Sequence, residues 1–248
     1  MTARHLGAAF RFVRGLVRPP LMVLTRRDWR GGEHLPADGG FLVCANHISH
    51  LDPFTLGHYL LDHGCPPRYL GKESVFQLPL LGRLVSACGQ IPVLRESSQA
   101  GQAFSAAVSA VQQGECVAIY PEATLTRDPD LWPMVGKTGA ARIALMTGCP
   151  VIPVAQWGVH EMLAPYSRRF RLLPRKTCHV WAGPPVDLSV HAGRPLDAAT
   201  LRQATETIMV AITDLLEQIR SEQAPDHRWD PAEHDLPRIG NPKRRRTA

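Results

Sequence analysis

The 248-residue sequence lacks any uninterrupted apolar run of the roughly 18 residues that a membrane-spanning helix needs. Arg11, Arg14 and Arg18 break the apolar positions near the N-terminus, which argues against both a spanning helix and a secretory leader. There is no C-x-x-C pair. The six cysteines, Cys44, Cys65, Cys88, Cys116, Cys149 and Cys178, are scattered and mostly inside apolar runs. They read as buried, reduced thiols of a cytosolic chain rather than as a disulfide frame or a zinc site. No G-x-S-x-G elbow and no G-x-G-x-x-G occur, which removes the simplest serine hydrolase and dinucleotide readings. Gly136-Lys137-Thr138 looks like the end of a phosphate-binding loop, but Leu131 stands where the earlier glycine is required and no strand leads into it. His47, His50 and Asp52 invite a metal, yet the 11 histidines offer no second tight cluster, so no metal is expected. Acidic residues are outnumbered, 22 against 28 Lys and Arg, giving a net charge of +6. That balance suits a phosphate-bearing ligand or an anionic membrane, and is also common in proteins with neither.

What is present is an alternation of apolar strands and amphipathic helices. Strands are expected at 41–46, 68–71, 90–94, 116–120, 151–156 and 178–182. Helices are expected at 53–63, to Cys88, and at 98–113, 137–147 and 197–221. The pattern predicts a single α/β domain with a mostly parallel central sheet flanked by helices. In such sheets ligands gather beyond the carboxyl ends of strands. Three polar clusters follow strands here: Asn46 to Asp52, Arg95-Glu96, and Glu122 to Arg127.

The two ends differ from this pattern. Residues 4–18 read as an amphipathic helix, with Leu6, Phe10, Val13 and Val17 on one side and Arg11, Arg14 and Arg18 on another, stopped by Pro19-Pro20. Leu21 to Leu24 followed by Arg26, Arg27, Trp29 and Arg30 has the aromatic and basic mix of a lipid interface. Residues 1–30 are therefore expected to form a membrane-facing helical segment, with packing against the domain as the competing role. The domain itself would run from 31 to 222. The tail from 223 to 248, ending in Lys243 to Arg246, is expected to be disordered, and either solvated or in contact with a polyanion.

The stretch from Asn46 to Asp52 places a histidine and an aspartate on one short turn after a buried strand, with Pro53 at the start of a helix. A carboxylate that fixes an imidazole tautomer makes a general base near neutral pH. No serine or cysteine nucleophile is needed if the substrate brings a hydroxyl. Taken alone, the pair also fits ordinary polar loop residues.

Asn46-His47-x4-Asp52 resembles the H-x4-D block of the glycerolipid acyltransferases. Gly89-Gln-Ile-Pro-Val-Leu-Arg95, Tyr120-Pro-Glu-Ala-Thr124 and Val151-Ile-Pro-Val154 resemble that family's other three blocks, in order and at similar spacing. The resemblance covers about residues 30 to 190. It implies transfer of a fatty acyl group from acyl-CoA or acyl-carrier protein to the free hydroxyl of a 1-acyl-glycerol-3-phosphate-like acceptor, with no cofactor. It implies His47 as base and Asp52 as its orienting partner. Arg95 and Glu122 would bind the glycerol phosphate, with Thr124, Asn46, Lys72, Lys137 and Arg127 as further substrate contacts. The partners implied are the acyl donor, a lysophospholipid and an anionic membrane surface on the cytoplasmic face, without nucleic acid. The third block departs from the family's Phe-Pro-Glu-Gly-Thr-Arg-Ser at Tyr120, Ala123, Leu125 and Thr126. Loss of the cation at Leu125 leaves another lysolipid or a glycolipid open as acceptor, with Arg127 as the replacement cation. A catalytically silent lipid-binding protein and a metal-dependent hydrolase are the readings from other classes.

Overall fold

The computed structural model describes residues 7–93 and 100–234. In chain order these contain α1 (Ala8–Leu24), β1 (Thr25–Arg30), β2 (Phe41–Ala45), α2 (Asp52–Asp62), β3 (Pro67–Lys72), α3 (Glu73–Phe76) and α4 (Pro79–Ala87). Then come β4 (Ile91–Val93), α5 (Ala100–Gln112), β5 (Cys116–Ile119), α6 (Gly139–Thr147), β6 (Val151–Trp157), β7 (Lys176–Ala182) and α7 (Ala198–Arg220). One seven-stranded sheet has the order β1-β7-β6-β2-β5-β3-β4. Strands β2 to β6 all run parallel, whereas β7 is antiparallel to β6 and parallel to β1. This is the mostly parallel α/β domain that the strand and helix alternation predicts.

The central strand β2 is buried at every position, as parallel strands covered on both faces are. Its side chains alternate between two cores. Leu42 and Cys44 join α5, α6 and α7 through Ala107, Ile143, Ile208 and Ile212. Phe41, Val43 and Ala45 join α2 through Leu56, Tyr59 and Leu60. Helix α7 begins where the Asp197 carboxylate accepts the Thr200 N–H at 2.8 Å, an N-cap that satisfies one of the open donors of the first turn.

Three expectations about the ends are corrected. Pro19-Pro20 do not stop α1, which runs through them to Leu24. Contacts on both sides of the prolines hold the helix down: Phe10 and Leu21 are buried, and Arg14 and Arg18 both reach Asp62 of α2 at 3.2 Å. These arginines face the domain, and the outward stripe is apolar instead, with Phe12, Leu16 and Val23 exposed.

Residues 25–30, expected to belong to a lipid-facing helical segment, form the edge strand β1, in register with β7 from Thr25↔Lys176 to Arg30↔Trp181. Trp29 packs edge-on against His58 and Tyr59, with ring centroids 4.8 and 5.6 Å apart. Arg26, Arg27, Asp28 and Arg30 mask the strand pattern in the sequence, yet charge is what keeps an edge strand from pairing with other chains.

Residues 224–234, expected to be disordered, pack on the domain. The Ala224 N–H donates to Glu217 at 2.7 Å, and Arg228 donates to Glu206 and to the Thr213 hydroxyl at 2.9 Å each. The Val135 N–H donates to the Trp229 carbonyl at 3.1 Å. A polar, proline-rich composition hid these few specific anchors. The basic run Lys243 to Arg246 lies outside the described residues, as do Leu6 and Arg95.

Candidate active site

Because β2 to β6 are parallel, the loops after β2, β5 and β6 leave from one edge of the sheet. The loop after β2 carries His47. Its Nδ1 lies 2.8 Å from Asp52 Oδ2, and the same oxygen accepts the Ile48 and Ser49 N–H groups at 2.6 and 2.8 Å. Asp52 is fully buried at the start of α2, and His47 is 15% exposed. Three donors on one carboxylate oxygen fix the aspartate, and the aspartate fixes the ring. With Nδ1–H donated to Asp52, the imidazole lone pair sits on Nε2.

The loop after β5 braces the other side. Glu122 Oε1 accepts the His47 N–H at 2.9 Å, Glu122 Oε2 accepts the Met134 N–H at 3.0 Å, and the His47 carbonyl accepts the Thr126 N–H at 2.7 Å. Burial is the largest influence on Glu122 and pushes its carboxyl up to about 8, while the Met134 and His47 N–H groups pull it down. The folded-state value thus stands above the ordinary value of 4.5, so the group's contribution to stability is full below that value and is lost as pH rises through about 8. Glu122→Gln abolishes this slope. The stability of wild type relative to Glu122→Gln is expected to fall steadily from about pH 5 to about pH 8 in thermal melts, and a constant difference would contradict it.

Tyr120 lies flat against the base. Its ring and the His47 ring are stacked at 4.1 Å with an interplanar angle of 19°, and Tyr69 continues the stack at 6.3 Å. The Tyr69 hydroxyl donates to the Pro53 carbonyl at 2.9 Å.

Ala123 follows in the left-handed region, with φ 59°. The related pattern has glycine there, which enters that region without a Cβ penalty. Left-handed backbone costs an alanine about 1–2 kcal/mol, and glycine's extra freedom in the unfolded chain offsets about 0.5–1 of it. Ala123→Gly is therefore expected to raise the denaturation midpoint slightly, by up to about 1 kcal/mol of stability; a lower midpoint would show that the loop depends on the methyl group.

The residues expected from sequence divide into three groups. His47, Asp52, Asn46 and Glu122 are brought together, but Asn46 and Glu122 act as struts. Asn46 is fully buried and its amide is spent across the sheet: Nδ2 donates to the Gln156 carbonyl at 3.0 Å and Oδ1 accepts the Gln156 N–H at 2.7 Å. It thus ties β2 to β6 instead of facing a ligand. Thr124 and Arg127 are buried in the loop after β5, close in sequence to Glu122. Lys72 is exposed at the carboxyl end of β3, and Lys137 is exposed before α6, its N–H donating to the Pro121 carbonyl at 2.9 Å. Leu125 is buried, and its carbonyl accepts the Tyr166 hydroxyl at 2.7 Å. His50 is exposed.

Several supporting residues escaped the sequence reading. Gln156 accepts the Thr55 hydroxyl at 3.0 Å as well as pairing with Asn46, and its signal was a lone polar side chain in the apolar run of β6. Ser49 donates its hydroxyl to the Leu163 carbonyl at 2.7 Å, anchoring the His47 loop to the segment after β6. His160 on that segment packs on Trp157 at 4.3 Å, and burial lowers its proton affinity while Glu161 and, less, Asp52 partly restore it. Nothing in its sequence context marked it.

Comparison with known proteins gives the chain's family. The Acyltransferase family model matches residues 26–157, more than half of the chain. A 1-acyl-sn-glycerol-3-phosphate acyltransferase of Bacillus subtilis is 32% identical over 126 residues, 51% of this chain and 60% of that protein. The chloroplastic enzyme BAT2 of Brassica napus is 31% identical over 140 residues, 56% of this chain and 39% of that protein. The chain thus spans about half the length of the curated relatives it matches. The crystal structure of the 1-acyl-sn-glycerophosphate acyltransferase PlsC from Thermotoga maritima superposes with a TM-score of 0.64 at 21% identity, covering 87% of this chain and 81% of that one, and shares its fold. With the family model spanning the sheet's central strands and the His47–Asp52 turn, the chain belongs to the acyltransferase family.

Proposed function

We propose that this protein transfers a fatty acyl group from acyl-CoA or acyl-carrier protein to the free hydroxyl of 1-acyl-glycerol-3-phosphate, giving phosphatidic acid for phospholipid synthesis. The observation that carries the reading is the His47–Asp52 pair, held at 2.8 Å at the carboxyl edge of the sheet with Nε2 left to meet a substrate. His47 removes the proton of the acceptor hydroxyl as its oxygen attacks the thioester carbonyl. The tetrahedral intermediate then collapses, the C–S bond breaks, and the imidazolium returns the proton to the departing thiolate. Asp52 stabilises the imidazolium while it exists. Arg95 is the phosphate partner in this scheme, with Arg127, Thr124, Lys72 and Lys137 as further contacts. Glu122 and Asn46 position the base. The protein works at the cytoplasmic face of the membrane, as a peripheral protein. Among the described residues no helix is long and apolar enough to cross a membrane.

Tyr120 fits this chemistry as a positioning residue. A ring stacked on an imidazole favours the imidazolium by its π-face, an effect worth about 1 kcal/mol at partly buried sites. Tyr120→Leu is expected to lower kcat about 5-fold with KM for both substrates nearly unchanged, and Tyr120→Phe to restore it. A rise in KM instead of a fall in kcat would assign Tyr120 to substrate binding.

A second reading keeps the reaction and changes the acceptor. Leu125 fills, as a buried apolar side chain, the position where the related pattern carries arginine. That favours another lysolipid or a glycolipid. A mass-spectrometric acceptor screen with one acyl-CoA donor separates the two: phosphatidic acid as dominant product supports the first, and acylation of a different acceptor the second. No free CoA release with any acceptor, alongside retained vesicle binding, would leave a lipid-binding protein.

A further inference from the structure

The segment between β6 and β7 carries an unexplained surface. Between Glu161 and Asp187 the chain has no acidic residue, while Arg168, Arg169, Arg171, Arg175 and Lys176 fall within nine positions. Interleaved with them, Phe170 is 60% exposed and Leu173 76%, with Leu172 also exposed. Soluble surfaces show single exposed apolar residues routinely, but three in four positions with arginines on both sides form a combination suited to the headgroup boundary of a bilayer.

The roots of this loop fix where it faces. On one side, the Ser49 hydroxyl donates to the Leu163 carbonyl at 2.7 Å and the Tyr166 hydroxyl to the Leu125 carbonyl at 2.7 Å, so the loop leaves from the two segments that hold His47 and Glu122. On the other side, Arg175 donates to the Met22 and Thr25 carbonyls at 2.9 and 2.7 Å, so the loop returns against the end of α1, whose outward stripe is apolar. We infer that the loop 168–173 is a lipid-contacting element, inserting Phe170, Leu172 and Leu173 at the surface of an anionic bilayer while Arg168, Arg169 and Arg171 meet its phosphates. Anchored at the rim of the site, it turns His47 toward the membrane from which a lysolipid is drawn. This deepens the membrane-surface part of the proposed function and assigns the contact to a loop distinct from α1.

Flotation of the full-length protein with phosphatidylcholine vesicles, with and without phosphatidylglycerol, tests it. Wild type is expected to float preferentially with the anionic vesicles, and less at high salt. The pair Arg168→Ala and Arg169→Ala should weaken that partitioning about 5-fold per arginine. The pair Phe170→Ser and Leu173→Ser should weaken binding further, with thermal melting unchanged because these side chains are exposed. Loop variants that float like wild type overturn the inference. If in that case Phe12→Ser with Leu16→Ser on α1 abolishes flotation, the membrane reading itself stands; a wild type that floats with neither kind of vesicle brings both down. A self-associated wild type in lipid-free sedimentation that the loop variants make monomeric would also overturn it, by assigning the surface to a second copy.

Discussion

His47→Ala is expected to lower acyl transfer at least about 100-fold, the scale of a lost general base, and to leave the fold intact. The imidazole provides the only side chain on the Asn46 to Asp52 turn held with one ring nitrogen on a buried carboxylate, so no neighbour takes its place. The turn survives because its restraints are main-chain ones. The backbone N–H of residue 47 stays on Glu122, its carbonyl still accepts from Thr126, and Asp52 keeps the Ile48 and Ser49 N–H groups. The measurement is release of free CoA in the presence of a lysolipid acceptor, paired with a thermal melt. Unchanged turnover in a folded variant would sink the assignment of the base.

The fold was legible wherever burial wrote an apolar run into the chain. Phe41 to Ala45, Cys116 to Ile119 and Val151 to Trp157 are strands covered on both faces, and such strands are nearly all apolar, with Gln156 the exception among these. Edge strand β1 was illegible for the opposite reason. It is covered on one side, its neighbour β7 enters the sheet some 150 residues later, and its outward charges serve a purpose that resembles a loop or an interface. The helix through Pro19-Pro20 was hidden because local backbone preference disfavours it, and the contacts that override that preference come from Asp62 on another helix.

At the site, residue types marked the loops but not the hydrogen bonds within them. Asn46 and Glu122 stand beside His47, as the sequence blocks implied, but their polar atoms are consumed by Gln156, Met134 and the His47 backbone. Polar side chains that recur in a motif are easily assigned to ligands. Only the hydrogen-bond partners distinguish a group that meets substrate from one that holds the group that does. Tyr120 carried the converse difficulty, since an aromatic ring after an apolar strand reads as core until its stack on His47 is seen.

Asp52→Asn is expected to separate the charge of the pair from its geometry, lowering kcat about 100-fold or more while KM for donor and acceptor stays near its original value. The asparagine can be seated in only one way. Oδ2 receives the Ile48 and Ser49 N–H groups, so an NH2 group at that position would face two donors, and the amide oxygen must occupy it. The NH2 then takes the place of Oδ1, which has no hydrogen-bond partner among the described residues. His47 Nδ1–H can still donate to the amide oxygen, so the ring keeps its orientation and tautomer. What disappears is the buried negative charge that stabilises the imidazolium, and that charge matters only while the proton is on His47. The loss therefore falls on kcat. Asp52→Ala goes further, leaving two backbone N–H groups without an acceptor in a fully buried position, at a cost of about 1–3 kcal/mol for each. That variant should show the same loss of turnover together with a clear drop in melting temperature. If Asp52→Asn instead raised KM and spared kcat, Asp52 would be holding the loop for substrate binding and the transferred proton would have another keeper.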